Sequence, residues 1–280
     1  MPRLKLAAVP FALVVSVALA AEKRPGEDKK YESPYSVAFA HADLIGDITS
    51  GKRGAAGDES TVPHAEWNSK AVREKYGSWG PPAKHFPPPA GLAGKSVGWK
   101  RERVIAVGLR YVGYGYQHHH IPDWLPPEDW PHGEKGGHHG KGVDCSNFTS
   151  FVYNLAFGLK PSSDIKAQSA LKEFPGPGDG HATPVRRVEL PDSYDDFPKT
   201  LRTGDLLYVK NLKGELAHVV LWVGAIGKSP NGVPLILDSH GDGVKDSDGQ
   251  TIPSGVHLRP FRDKSWYHKS ASHAIRVFAD

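Results

Sequence analysis

The C-terminal part of this 280-residue chain contains several strand-like segments, which constrain its fold more than any other feature. Residues 205–209 (DLLYV) and 216–224 (LAHVVLWVG) are rich in β-favouring side chains and flank the turn-like KNLKGE. Residues 233–241, 255–261 and 274–278 have a similar composition. Two segments with helical periodicity precede them, and helices followed by consecutive strands are typical of an α+β domain with an antiparallel sheet.

The two helical segments carry capping residues at their ends. An Ile, a Leu and a Val at positions 105, 109 and 112 form one apolar stripe, and Ser96 is the candidate N-cap. Residues 143–158 (VDCSNFTSFVYNLAFG) hold the second helix, with apolar side chains at positions 148, 151, 152 and 155. We predict Asp144 as its N-cap and Gly158 as its C-terminal cap.

The first 21 residues read as a secretory signal peptide. Arg3 and Lys5 precede an apolar run that ends in a small-x-small cleavage pattern. A membrane anchor is the alternative, but the run is shorter than the roughly 18 residues expected of a spanning helix, and Pro10 interrupts it. We therefore expect a secreted or periplasmic protein with no transmembrane segment after cleavage. Its formal charge would fall from +4 to +2, too low to indicate a nucleic-acid partner.

Residues 22–97 are rich in Pro and Gly and predict an irregular N-terminal extension. Within it, residues 33–46 (SPYSVAFAHADLIG) have apolar side chains at helical spacing, which predicts a short helix. The predicted organisation is thus a signal peptide over residues 1–21, an extension over 22–97 and the main domain over 98–280.

Cys145 is the only cysteine in the chain, so it has no internal disulfide partner. In an oxidising compartment, a lone cysteine is buried and inert, pairs with another chain, or works as a thiol. Its place at a helix start points to the third role, because unpaired backbone N–H groups and the helix dipole favour the nucleophilic thiolate. Such a nucleophile needs a base nearby.

Two histidines on the strand-like segments are candidates for that base and its orienting partner. His218 lies within the LAHVVLWVG segment, and His240 ends LILDSH. A cysteine at a helix start followed by a histidine on one strand and a polar residue on the next is the papain-like arrangement. Spacing alone leaves a plain surface role open for both, since the chain has 15 histidines.

These motifs, taken in order, resemble the NlpC family of bacterial cell-wall cysteine peptidases. GVDCSNFTSFVY resembles the family's DCSGF/L helix start, and RTGDLLYV its Gly-Asp strand opening. AHVVLWVG is similar to its His-Val strand, and DSHG falls where the family carries its third catalytic residue. LRYVGYGY is similar to its helix end with a tyrosine, and LKPSSDIKAQ to the segment after its catalytic helix. The resemblance covers roughly residues 98–280.

The resemblance implies a papain-like fold, no cofactor, and hydrolysis of stem-peptide bonds in peptidoglycan, such as D-γ-glutamyl–diamino acid. It implies that Cys145 attacks the carbonyl carbon, that His218 is base and then acid, and that His240 orients the His218 ring. The implied oxyanion and substrate-binding residues are Tyr116, Ser146 and Asp164.

The sequence departs from the family pattern beside the nucleophile and ahead of it. Asn147 stands where the family usually has Gly, and Val220 replaces a frequent Gly in the His strand. The stretch between Tyr116 and Cys145 is longer than in simple members of the family. These differences bear on substrate choice more than on the chemistry.

Alternative functions come from the same scaffold and from the His-rich stretch. Histidines at positions 118–120, 132, 138 and 139 are possible zinc ligands, but adjacent strand residues point to opposite faces, so we predict no metal site. Two competing interpretations remain. One is a non-catalytic wall-binding or His-mediated metal-binding protein, and the other is an acyltransferase with the same Cys-His chemistry.

Overall fold

The computed structural model describes residues 31–50, 69–76, 85–116, 143–177, 182–241 and 243–280. The predicted signal peptide and the His-rich stretch lie outside these ranges. The α-helices within them are α1 (Gly46–Thr49), α2 (Lys70–Tyr76), α3 (Val97–Leu109), α4 (Cys145–Phe157), α5 (Ile165–Ser169), α6 (Phe197–Thr200) and α7 (Trp266–Lys269). In the described part of the chain, no helix has both the length and the apolar character needed to cross a membrane.

The strands are β1 (Ser36–Val37), β2 (Glu173–Phe174), β3 (Thr183–Pro184), β4 (Arg186–Val188), β5 (Leu206–Lys210), β6 (Leu216–Trp222), β7 (Gly227–Lys228), β8 (Leu235–His240), β9 (Gly255–Pro260) and β10 (Ala271–Arg276). Six of them form one antiparallel sheet in the order β4-β10-β5-β6-β8-β9. The prediction of helices packed with an antiparallel sheet is therefore confirmed. All five strand-like segments of the sequence lie in this sheet, and β4 joins its edge without having been predicted.

The two long helices have the predicted caps. The Ser96 side chain accepts a hydrogen bond from the backbone N–H of Trp99 at the start of α3. Asp144 does the same for Asn147 at the start of α4, and Gly158 ends that helix in the left-handed conformation with φ 70°. A side chain at Gly158 would also approach the backbone oxygen of Phe86 to 2.5 Å, so glycine is required there for two reasons.

The sheet is covered on both faces by apolar side chains. α3 and α4 pack against each other and against β6 and β8, with Val104, Phe148 and Leu237 in the shared core. A second cluster around Trp222, Phe261 and the residues near α6 and α7 covers other sheet positions. The start of α4 is thereby held against the strands that carry the two candidate histidines.

Part of the predicted extension packs on this core. β1 pairs with β7, and Tyr35, Leu44 and Ile48 are buried in the main cluster. The short helix predicted over residues 33–46 is wrong. Its backbone N–H groups bond elsewhere, Ala38 to the Ile226 carbonyl and Ala40 to the buried Glu102 carboxylate. The boundary between extension and main domain stays a prediction.

Candidate active site

Cys145 is a free, buried thiol at the first residue of α4. The Asp144 carboxylate takes the Asn147 N–H at 2.8 Å, so the bulkier residue at position 147 leaves the helix start intact. The first amides of a helix have no acceptor within it. The sulfur therefore lies beside backbone donors that favour negative charge.

His218 lies on β6 and is buried between Cys145 and β8. Its Nε2 atom is 2.6 Å from Oδ2 of Asp238. A hydrogen bond with Cys145 therefore falls to the other ring nitrogen, Nδ1. Burial lowers the pKa of His218, but the negative charges of Cys145 and Asp238 and the hydrogen bonds to both outweigh it and raise the pKa to about 10. The ring therefore holds a proton at neutral pH.

Asp238 is fully buried on β8, and each of its oxygens has a partner. Arg259 on β9 donates from Nε to Oδ1 at 2.8 Å. The Tyr267 hydroxyl donates to Oδ2 at 2.9 Å, the oxygen that also faces His218. Burial alone would raise the pKa of Asp238, but Arg259 and His218 hold it well below its usual range. The carboxylate is thus ionised in the interior because a cation and several donors surround it.

His240 does not supply the hydrogen bond that orients His218, and that part of the prediction is corrected. Asp238 makes the contact instead. The His240 ring lies edge-on to the His218 ring with centroids 4.9 Å apart, and its Nδ1 is 2.7 Å from the Gly241 carbonyl oxygen. Burial and the nearby His218 lower the pKa of His240, although Asp238 opposes them.

Strand geometry explains why the sequence pointed to His240 rather than to Asp238 as the partner of His218. Asp238 and His240 are two positions apart on β8, so both face the same side of the sheet. The distinction lies in partners from distant parts of the chain, since Arg259 and Tyr267 donate hydrogen bonds to Asp238, whereas the His240 ring packs against the ring of Tyr267. The available signal was an acidic residue two places before the histidine in LILDSH, a spacing that keeps the same face.

Tyr116 comes close to the nucleophile through backbone pairing. It forms an isolated parallel bridge with Val143, two residues before Cys145. Burial, followed by the negative charges of Cys145 and Asp144, raises the pKa of Tyr116 to about 12. Its hydroxyl therefore stays protonated near the sulfur and is available as a donor.

Ser146 and Asp164 are placed differently from each other. The Ser146 hydroxyl is buried within 2.7 Å of the Ser163 carbonyl oxygen and 3.2 Å of Asp144. Asp164 is exposed and caps α5 by accepting from the Ala167 N–H at 2.8 Å. Gln168 ties the two regions together, donating to the carbonyl oxygens of Ser146 and Ser162. Asp164 therefore presents its carboxylate to solvent, whereas the Ser146 hydroxyl is enclosed by protein atoms.

No group of three or more metal-ligating side chains occurs within the described ranges. The histidines at positions 118–120, 132, 138 and 139 lie outside them. The described site instead offers a thiol, a protonated imidazole and a buried carboxylate in sequence. Such a set is suited to nucleophilic attack on a carbonyl followed by proton donation to the leaving group.

This arrangement of a thiol, an imidazole and a carboxylate on an α+β domain is of the kind that thiol hydrolases use. The model of the NlpC/P60 family matches residues 134–269, which contain Cys145, His218 and Asp238, so the resemblance drawn from the motifs is confirmed. Proteins of the family are generally cysteine peptidases or related hydrolases that act on cell-wall peptidoglycan.

One solved structure similar to this chain is the crystal structure of an NlpC/P60 family protein from Bacillus cereus, with 18% sequence identity and a TM-score of 0.36. The similarity covers 69% of this chain and 42% of that one, so the chain spans less than half the length of that relative. No curated protein matches the sequence.

Proposed function

We propose that the protein is a secreted or periplasmic papain-like cysteine hydrolase that cuts a peptide bond in peptidoglycan stem peptides, with D-γ-glutamyl–diamino acid as the expected bond. The observation that carries the proposal is the buried chain of contacts from Cys145 through His218 to Asp238. A thiol that merely packs has no need of a protonated imidazole backed by an ionised carboxylate.

The first half of the reaction starts from the Cys145 thiolate paired with the protonated His218 ring. The Cys145 sulfur attacks the carbonyl carbon, and a carbon–sulfur bond forms while the carbonyl oxygen takes the negative charge. His218 then gives its proton to the leaving nitrogen, and the carbon–nitrogen bond breaks to leave a thioester. Asp238 holds the ring by Nε2, so that the opposite nitrogen stays directed at the sulfur.

The second half returns the enzyme to its starting state. His218, now neutral, takes a proton from water, whose oxygen attacks the thioester carbon. The carbon–sulfur bond breaks, a carboxylic acid product leaves, and the ring is again protonated beside the thiolate. The oxyanion of each step lies near the Cys145 amide and the protonated Tyr116 hydroxyl, which are the donors we assign to it.

Asp164 is the residue we assign to the free amine of the substrate. Its carboxylate is exposed at the start of α5, and the Ser163 carbonyl next to it contacts the Ser146 hydroxyl. Ser146 contributes by fixing this loop rather than by direct contact, because its hydroxyl already has protein partners. A substrate with a free N-terminal L-Ala would place a cation at this point.

The proposal is tested by incubating the mature protein with L-Ala-γ-D-Glu-diaminopimelate and with purified peptidoglycan, and identifying the products by mass spectrometry. Cleavage of the γ-glutamyl bond is expected, and Cys145→Ala should abolish it. Cleavage that persists in Cys145→Ala and is lost with a chelator would replace the thiol mechanism by a metal mechanism. An intact stem peptide with the unsubstituted protein would overturn the substrate assignment.

A further inference from the structure

A short helix after β9 brings Tyr267 to the back of the site. Ser265 caps α7, and the indole N–H of Trp266 donates to the Lys210 carbonyl at the end of β5 with a distance of 2.8 Å. These contacts fix α7 against the sheet and direct the Tyr267 hydroxyl to Asp238. Burial and the Asp238 charge raise the pKa of Tyr267 well above its ordinary value, so the hydroxyl remains a donor.

Tyr267 and His218 donate to the same oxygen of the same carboxylate. Oδ2 of Asp238 is 2.6 Å from His218 Nε2 and 2.9 Å from the Tyr267 hydroxyl, whereas Arg259 occupies Oδ1. Each donor draws negative charge toward itself, which leaves less for the others. A carboxylate bonded by His218 alone would attract the imidazolium more strongly than one shared with Tyr267.

We propose that Tyr267 is a positioning residue that shares the Asp238 carboxylate with His218 and thereby weakens the hold of that carboxylate on the His218 proton. The inference rests on the proposed thiol chemistry of Cys145 and His218. Its consequence is that His218 gives its proton to a leaving amine more readily than it would with an unshared carboxylate. Tyr267 touches neither the nucleophile nor the substrate in this role.

Among the described residues, few titratable or charged groups besides Tyr267 lie close enough to His218 to affect its protonation. Within the described ranges, the titratable or charged side chains that face it, directly or behind Asp238, come from four elements: Cys145 of α4, Asp238 and His240 of β8, Arg259 of β9, and Tyr267 of α7. Among them, only Tyr267 can be changed to an equal-sized, uncharged residue by removing a single oxygen. Tyr267→Phe therefore isolates the shared hydrogen bond.

The test uses alkylation of Cys145 by iodoacetate, in which the sulfur displaces iodide. Because the chain has one cysteine, the rate reports that site alone and needs no peptide substrate. The anionic reagent is attracted by protonated His218, so its rate should fall as the ring loses its proton near pH 10. In Tyr267→Phe this alkaline limit should move up by about half a pH unit, since one hydrogen bond to the carboxylate is lost.

The matched control is Tyr153→Phe, which also removes one buried tyrosine hydroxyl. Tyr153 lies on α4 and donates to the Gly204 carbonyl at 2.6 Å, away from Asp238. Its alkaline limit should coincide with that of the unsubstituted protein. An unchanged or lowered limit in Tyr267→Phe, or an equal rise in Tyr153→Phe, would overturn the inference.

A peptidase assay separates this inference from the proposed function. If the stem peptide is cleaved, the alkaline limit of kcat/KM should move upward in Tyr267→Phe as the alkylation limit does. If no peptide is cleaved but the alkylation limit still moves, Tyr267 has the proposed role and only the substrate assignment fails.

Discussion

The start of α4 and the end of β8 form the two halves of the candidate site, and they are encoded in opposite ways. The first half is local: Asp144, Cys145 and Gly158 lie within one short segment that specifies its own cap, nucleophile and helix end. The second half is assembled from four elements, since Asp238 on β8 meets His218 of β6, Arg259 of β9 and Tyr267 of α7.

The difference shows where each half is vulnerable. A helix start depends on one side chain and the backbone next to it, so its loss costs about 1 kcal/mol. A buried carboxylate depends on every partner at once, because a charge left without its counter-charge in the interior costs several times more. Changes in the strand half should therefore have larger effects on activity than changes in the helix half.

The largest effect is expected from Asp238→Asn, which keeps the shape of the side chain and removes its charge. The His218 ring then loses the anion that orients it and stabilises its charged form, and kcat/KM should fall by roughly 10³-fold.

His240→Ala should lower kcat/KM by no more than about tenfold, since the hydrogen bond of its Nδ1 is to the Gly241 carbonyl.

Steady-state kinetics on the stem peptide compare the two variants, with thermal unfolding as the check on folding. A loss in His240→Ala as large as that in Asp238→Asn would return the orienting role to His240. It would also mean that the edge contact between the two histidine rings matters as much as the hydrogen bond at 2.6 Å.

A smaller effect is expected from Asp144→Ala in the helix half. Removing the cap should lower the free energy of unfolding by about 1 kcal/mol and displace Cys145 slightly, with a loss of about tenfold in kcat. Ser96→Ala is the matched control, because it removes the equivalent cap of α3 away from the site. Urea unfolding and kinetics of both variants make the comparison.

Equal activity losses in Asp144→Ala and Ser96→Ala would contradict the assignment. They would show that general loosening of the helices, rather than the position of Cys145, limits the rate.

The helix half was predictable from sequence because its determinants are neighbours in the chain. Periodicity located α4, side-chain chemistry located Asp144, and the lone cysteine fell at the first residue. The five strand-like segments were equally visible, since their composition is local. Strand β4 was missed because only its pairing with β10 identifies it.

The strand pattern did not decide between Asp238 and His240, since alternation places both on one face and the hydrogen bonds from Arg259 and Tyr267 distinguish them. The same limit applies to residues 33–46. Their helical spacing is real, but the Glu102 carboxylate and the Ile226 carbonyl bind the backbone groups that a helix would need. In both cases the deciding contacts join residues far apart in sequence.

The last expected effect is on folding rather than on catalysis and concerns His257, which lies opposite Asp238 in the pairing of β8 with β9. Burial, followed by the positive charge of Arg259, lowers the pKa of His257 to about 4, although Asp238 opposes them. The folded protein therefore keeps this ring neutral where the unfolded chain, with a pKa of about 6.5, already binds a proton. Its contribution is complete above about pH 6.5 and is lost as the pH falls toward 4.

Replacing His257 by Gln should therefore reduce the acid sensitivity of folding. Between pH 7 and pH 4.5, the unsubstituted protein should lose on the order of 2 kcal/mol more unfolding free energy than His257→Gln, as measured by urea titration. Between pH 7 and pH 8 the difference between the two proteins should be constant, because the ring is neutral in both states there. If both proteins lost the same unfolding free energy across the acid range, the strand half would tolerate a second positive charge beside Arg259. Asp238 alone would then set the electrostatics of the strand half.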